Sequence, residues 1–289
     1  MLECVVNISE GRNDAVIDAL AAETGAELLD VHRDPDHHRS VLTIAGPGPA
    51  VTDSVRRLAR AVVASVDLGA HAGAHPRIGA LDVVPWVALD GWPVADGRLS
   101  LAIEARDGFI RWAAEALDLP CFAYGPERTL PDVRRQAWVT LDPDAGPTQV
   151  HPTAGAAAVG ARGILVAYNL WLAKPDLDLA RHIASSLRTP DLRTLALEVG
   201  TEVQVSCNLT RPWVVGPATA FDAVAHQADV ARAELVGLVP QAVVDAVPRH
   251  RWRELNLDPS TTIEARLERA GLDGEVLKMD GGGAERPAR

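Results

Sequence analysis

The stretch 71–86, HAGAHPRIGALDVVPW, sets a polar, glycine-broken loop directly onto an apolar run rich in β-branched residues. Such a pattern delivers histidines and an arginine onto the start of a strand, where a rigid scaffold can hold them. His71 and His75 are four residues apart, a spacing that on a helix turns both imidazoles to one face for zinc. Gly73, Pro76 and Gly79 break a helix here. The alternative is a lone base: His75, with Arg77 beside it, working at neutral pH.

Working outward, Leu81–Val87 reads as the last strand of a six-element unit. Leu2–Asn7 is a strand stopped by the turn-forming SEGRN, and Asn13–Ala22 has helical apolar spacing with Asn13 as cap. Ala26–Val31 and Ser40–Ile44 read as strands joined by the charged HRDPDHHR, and Ala50–Val66 as a second helix. The order βαββαβ is the split pattern of a ferredoxin-like unit. A helix from about Ser100 to Leu117 and a strand at Cys121–Tyr124 extend it.

The second half repeats the order: strand Ile164–Asn169, helix Leu177–Leu187, strands Arg193–Val199 and Glu202–Leu209, helix Ala218–Ala233, strand Glu234–Val239. The expected fold is α+β, with two ferredoxin-like βαββαβ subdomains. They divide in the proline- and glycine-rich Leu141–Pro147, giving 1–142 and 143–275. EARLERAGL after Thr262 is a last short helix, and 276–289 reads as a flexible tail.

Alanine and valine are plentiful and aromatics make up only 4%, so the core must be built from small and branched side chains. The net charge of -11 argues against a nucleic-acid partner, which would favour a basic surface. Cys4, Cys121 and Cys207 are odd in number, far apart and without a CxxC pair, as buried thiols of a reducing cytosol would be. MLECVVNISEGR lacks the features of a signal peptide, and no run approaches the ~20 apolar residues of a membrane span.

Three further segments carry candidate chemistry. His32, Asp34, Asp36, His37 and His38 can be a metal site for zinc or manganese, or a solvated hairpin loop. Asn7, Ser9, Glu10, Gly11 and Arg12 end the first strand ahead of a helix, where free backbone N–H groups suit an anion. GPTQVHPTAG at 146–155 is either a rigid backbone that approaches a flat ring or a plain linker.

HAGAHPRIGALDVVP resembles the signature of the formiminotransferase domain of formiminotransferase-cyclodeaminase and of stand-alone bacterial glutamate formimidoyltransferases. ECVVNISEGRN at 3–13, DPDHHRSV at 34–41, DPDAGPTQVHPTAGAAAVGAR at 142–162, ILVAYNL at 164–170, VQVSCNLT at 203–210 and ELVGLVP at 234–240 are similar in the same order. The resemblance implies two subdomains facing each other across a cleft, a homodimer, and a role in one-carbon metabolism and histidine degradation.

It further implies transfer of a formimino group from N-formimino-glutamate to N5 of tetrahydrofolate, with no metal. His75 would be the catalytic general acid and base. Asn7, Glu10, His38, Arg39, His71, Arg77 and Gly79 would line the substrate site, Arg39 forking a substrate carboxylate. The folate loop would be Gly146, Pro147, Thr148, Gln149, Val150, His151, Pro152, Thr153, Ala154 and Gly155. Arg162 would anchor the subdomain interface, and the chain would end where a cyclodeaminase module begins.

The chain departs from the family pattern at named places. His38 stands where asparagine is common, and after Asn208 Arg211, Pro212 and Ala218 replace an acid, an aromatic and a histidine. The glycine-rich, basic hairpin after the second subdomain's first helix is reduced to RTPDLRT. Four readings therefore stand. They are formimino transfer to tetrahydrofolate, the same base with another donor or acceptor (a C–N hydrolase or a secondary-metabolism transferase), a non-catalytic folate-binding protein, and a metal hydrolase built on His32–His38.

Overall fold

β1 (Leu2–Ile8) buries Leu2, Cys4, Val6 and Ile8 on one face, the period-two signature of a strand on a core. The computed structural model describes residues 1–71, 77–89 and 99–272. α1 (Asp14–Ala22) follows, with the Asn13 side chain accepting the Val16 N–H at 3.3 Å as the expected cap. β2 (Leu28–Asp34), β3 (Arg39–Gly46), α2 (Gly48–Ser65) and β4 (Leu81–Ala88) complete the first unit.

α2 turns Val51, Val55, Leu58 and Val62 inward at helical spacing against Cys4, Leu42, Ile44 and Trp86. Each such buried side chain stabilises by about 1.5–3 kcal/mol, so Leu58→Ala would be among the costliest changes in this layer.

The strand order β2-β3-β1-β4 is antiparallel throughout. α3 (Leu99–Leu117), β5 (Cys121–Tyr124), α4 (Leu130–Gln136) and β6 (Ala157–Ala161) extend it, β6 lying parallel between β4 and β5. β6 was not anticipated, because AAVGA is poor in β-branched side chains. The small residues are needed there: a Cβ on Gly160 would lie 2.0 Å from the Tyr124 ring. β6, beyond residue 142, pairs with β4 and β5 of the first sheet.

The second sheet is β10-β7-β9-β8, again antiparallel. Its elements run β7 (Val166–Leu172), α5 (Leu177–Ser186), β8 (Leu192–Val199), β9 (Glu202–Leu209), α6 (Pro217–Ala225) and β10 (Val230–Val236). The helix expected to reach Ala233 stops at Ala225. Residues 230–236 form a strand that buries Ala233 and Leu235 and pairs with β7. ARAE favours a helix locally, and the ladder to β7 overrides that preference. The final strand accordingly ends at Val236 rather than Val239.

α7 (Gln241–Asp245) and α8 (Ile263–Arg269) close the described chain. All three cysteines are buried and unbridged. Residues 276–289 lie outside the described residues. Among the described residues no helix is long and apolar enough to cross a membrane.

The β2–β3 hairpin joins the halves. Near one end a Cβ on Gly237 would lie 3.5 Å from Thr43 Oγ1, midway His32 Nε2 lies 3.5 Å from Glu234, and at the tip Gln204 Nε2 donates to His37 Nε2 at 3.4 Å. Leu29 and Ala45 pack on Leu238, Ile263 and Leu267, and Arg266 donates to the Leu29 carbonyl at 3.1 Å. The hairpin thus lies on the polar face of the second sheet, opposite the face that carries α5 and α6.

Candidate functional site

Gly79 ties three expected segments together. Ser9 Oγ donates to the Gly79 carbonyl at 2.8 Å, and Ser9 N–H to that of Ala80. On its other side Gly79 bridges Gly155, flanked by Ala80 N–H to Ala154 and Ala156 N–H to Ile78. A Cβ on Gly79 would fall 1.7 Å from the Ala156 carbonyl oxygen, so only glycine fits. The Asn7–Arg12 turn and the 151–155 end of the second loop therefore share one wall.

That loop end is a tight turn in which His151 and Gly155 exchange backbone hydrogen bonds at 3.0 and 3.1 Å. His151 Nδ1 accepts the N–H groups of Thr153 and Ala154, and the Thr153 carbonyl accepts that of Leu68. Pro152 is exposed. Toward the other end, Ala145, just before Gly146 and Pro147, is fastened to Cys121, while Thr148, Gln149 and Val150 are exposed.

A carboxylate with two arginines lies beside this wall. Asp82 is fully buried, and its Oδ2 accepts Arg39 Nη1 and Arg134 Nη2, each at 2.8 Å. Its Oδ1 accepts the Ile78 N–H at 2.8 Å, which sets the chain leaving Arg77. Arg39 was expected to fork a substrate carboxylate. Instead its Nε and Nη2 meet the Asn7 side-chain oxygen at 2.9 and 2.6 Å, and Nη1 goes to Asp82. A buried guanidinium must be paired, and here the chain itself supplies the partners.

Histidines flank the remaining edge. His38 takes a left-handed backbone, φ 51°, and its ring stacks on His71 with centroids 3.9 Å apart. His38 Nε2 donates to Glu10 Oε1 at 3.2 Å, and that oxygen also accepts the N–H groups of Arg12 and Asn13. Burial works to raise the Glu10 carboxyl, yet these hydrogen bonds and His38 bring it below the ordinary range.

His71 Nε2 lies 3.0 Å from the His38 carbonyl oxygen, and Arg77 Nη1 approaches both ring nitrogens, Nε2 at 2.5 Å and Nδ1 at 2.9 Å. Burial lowers the His71 pKa first; the contact with the His38 carbonyl opposes this, and the charges of Arg77 and His38 lower it further. Arg77 also donates to the carbonyls of His37 and His38, at 3.0 and 3.2 Å. His75 lies outside the described residues, between His71 and Arg77, which flank it here.

The other acidic and imidazole groups point elsewhere. His37 is buried, its Nδ1 on Asp34 and its Nε2 on Gln204 of the second half, while His32 faces Glu234. Among the described residues no three His, Cys, Asp or Glu side chains gather as metal ligands. His32, His37 and His38 instead meet three different carboxylates. Arg162 has Glu3 and Tyr124 as electrostatic neighbours, and its N–H donates to Trp86.

Asp82, Arg134 and Gln204 were not anticipated. An aspartate inside LDVVPW was a readable signal, since a charge in an apolar strand must have a partner. Arg134 and Gln204 carried none.

Residues 1–162 match the formiminotransferase domain, N-terminal subdomain. Glutamate formimidoyltransferase of Thermoplasma acidophilum is 29% identical over 93% of this chain and 98% of its own. The enzyme of that name from Streptococcus pyogenes serotype M1 is 34% identical over 65% of this chain and 68% of its own. Formimidoyltransferase-cyclodeaminase of Mus musculus is 33% identical over 94% of this chain and 57% of its own length. The matched domain spans more than half of the chain, and it contains the Ser9, Gly79 and Gly155 contacts and the Asp82 cluster: the chain belongs to the formiminotransferase family of one-carbon-group transferases.

Proposed function

We propose that this enzyme moves a formimino group from N-formimino-glutamate to N5 of tetrahydrofolate, a step of histidine degradation, with His75 as general acid and base. The observation that carries the reading is the double attachment of Gly79, which brings the Asn7–Arg12 turn and the 151–155 turn to the strand entrance just after Arg77. His71 and Arg77 flank position 75 in the chain, and His38 stacks on His71 and holds Glu10. On this reading both halves are ferredoxin-like, as their element and strand orders suggest, and the reaction runs in the cleft between them.

The chemistry asks for one group that takes and returns a proton. The acceptor amine attacks the amidine carbon, a tetrahedral intermediate forms, and glutamate leaves once its nitrogen is protonated. An imidazole does both near neutral pH and contributes about 10²–10⁴-fold. The 146–155 loop would seat the folate. The deciding assay is glutamate release from N-formimino-glutamate with and without tetrahydrofolate: release that requires tetrahydrofolate is expected, and none under either condition would refute the reading.

A second reading, the same base with another acceptor, has specific support in the second half. Arg211, which stands where the family has an acid, has its Nε on Asp191, and the turn between α5 and β8 is short. Glutamate release at equal rate without tetrahydrofolate would select water as that acceptor.

A further inference from the structure

α4 covers one side of the site and starts on a reciprocal cap between Thr129 and Asp132. Its Val133 packs into the cluster of Val83, Phe122, Tyr124 and Ala158, which fixes the direction of the next residue. From there Arg134 reaches Asp82 Oδ2, the oxygen already taken by Arg39, while Ile78 N–H holds Oδ1. One fully buried carboxylate is thus shared by two guanidiniums, and both Asp82 and Arg134 act on the charge of Arg77. Buried charges require partners of opposite sign, so this corner has an excess of cation that an anion would complete.

The three arginines differ in what they leave over. Arg39 is held by Asn7 and Asp82, and Arg77 by the carbonyls of His37 and His38. Arg134 uses Nη2 on Asp82, and its buried Nε meets no acceptor. A buried N–H of a charged group without an acceptor is rare in a finished structure, and it suits a ligand oxygen.

We propose that Arg134 is a substrate-binding residue that receives a carboxylate of the formimino donor and so selects anionic donors over those lacking one. This rests on the formimino-transfer reading and adds to it the residue that sets donor specificity.

The test has a binding arm and a kinetic arm. L-glutamate is titrated calorimetrically into the full chain and into R134Q and R134K at low salt. Binding should weaken about 10–100-fold in R134Q, the loss of one charge-assisted hydrogen bond, and by less in R134K. In the kinetic arm the preference in kcat/KM for N-formimino-glutamate over formamidine, which lacks a carboxylate, should fall at least tenfold in R134Q. That fall should come through KM.

Unchanged glutamate binding in both variants would overturn the proposal. So would equal losses with both donors and a lowered Tm, which a purely structural Asp82 partner would give. Failure of wild-type glutamate binding would also overturn it. If the wild type binds glutamate through Arg134 but transfers nothing, the formimino reading falls and the anion site stands.

Discussion

The His38 and His71 rings lie face to face, 3.9 Å between centroids and 20° from parallel, with Arg77 against the far ring and Glu10 against the near one. Burial first, and then the neighbouring Arg77 and His38, lower the His71 pKa from its ordinary value. His38→Asn separates charge from shape. Asparagine adopts left-handed backbone readily, so φ 51° should be kept and the Tm should stay near wild type. Loss of the His38 imidazole should raise the His71 pKa in an imidazole NMR titration; an unmoved His71 titration would contradict the coupling.

Gly79→Ala tests the strap that assembles the wall. The new Cβ would stand 1.7 Å from the Ala156 carbonyl oxygen, so the two backbones must part. We expect a loss of about 1–3 kcal/mol or more in urea unfolding, together with lost activity. A native midpoint would mean that the segments are not in close contact.

Glu3 gives a pH dependence with a definite sign. Burial pushes its carboxyl from 4.5 up to about 7, against the pull of the Arg162 charge and with the push of Glu264. The folded chain therefore binds a proton that the unfolded chain has released between these values. Stability from this group is present below the lower value and is lost as pH rises through about 7. Glu3→Gln should be more stable than wild type at pH 8, by up to about 3 kcal/mol, with the gain vanishing toward pH 4. An equal difference at both pH values would refute the assignment.

Folate recognition should be weak at the tail. The turn before β8 is short, and Arg211 Nε is on Asp191 rather than open toward a ligand carboxylate. Calorimetry should give little gain in tetrahydrofolate affinity from added glutamates. Submicromolar binding that tightens with tail length would contradict this.

Much of this architecture was legible because the elements bury alternate or helically spaced residues. Asn13 announced α1, and Val51, Val55, Leu58 and Val62 announced α2. β6 was hidden because its alanines and glycine suit a crowded interior strand rather than a strand propensity. β10 was hidden because Ala231–Glu234 favours a helix until β7 pairs with it.

At the site, the residues of the HAGAHPR and DPDHHR motifs could be named in advance, but the destination of Arg39 could not. Its partner Asp82 comes from a strand, and its competitor Arg134 from a helix far along the chain. Only the folded contacts reveal that the Arg39 guanidinium meets Asn7 and Asp82.

Turnover of His75→Ala with N-formimino-glutamate and tetrahydrofolate decides whether His75 moves the proton. The variant should fold with a near-native Tm and show kcat reduced by about 10²–10⁴-fold, with His71→Ala less affected. Retention of more than about a tenth of wild-type kcat, well short of what general acid–base catalysis contributes, would contradict it.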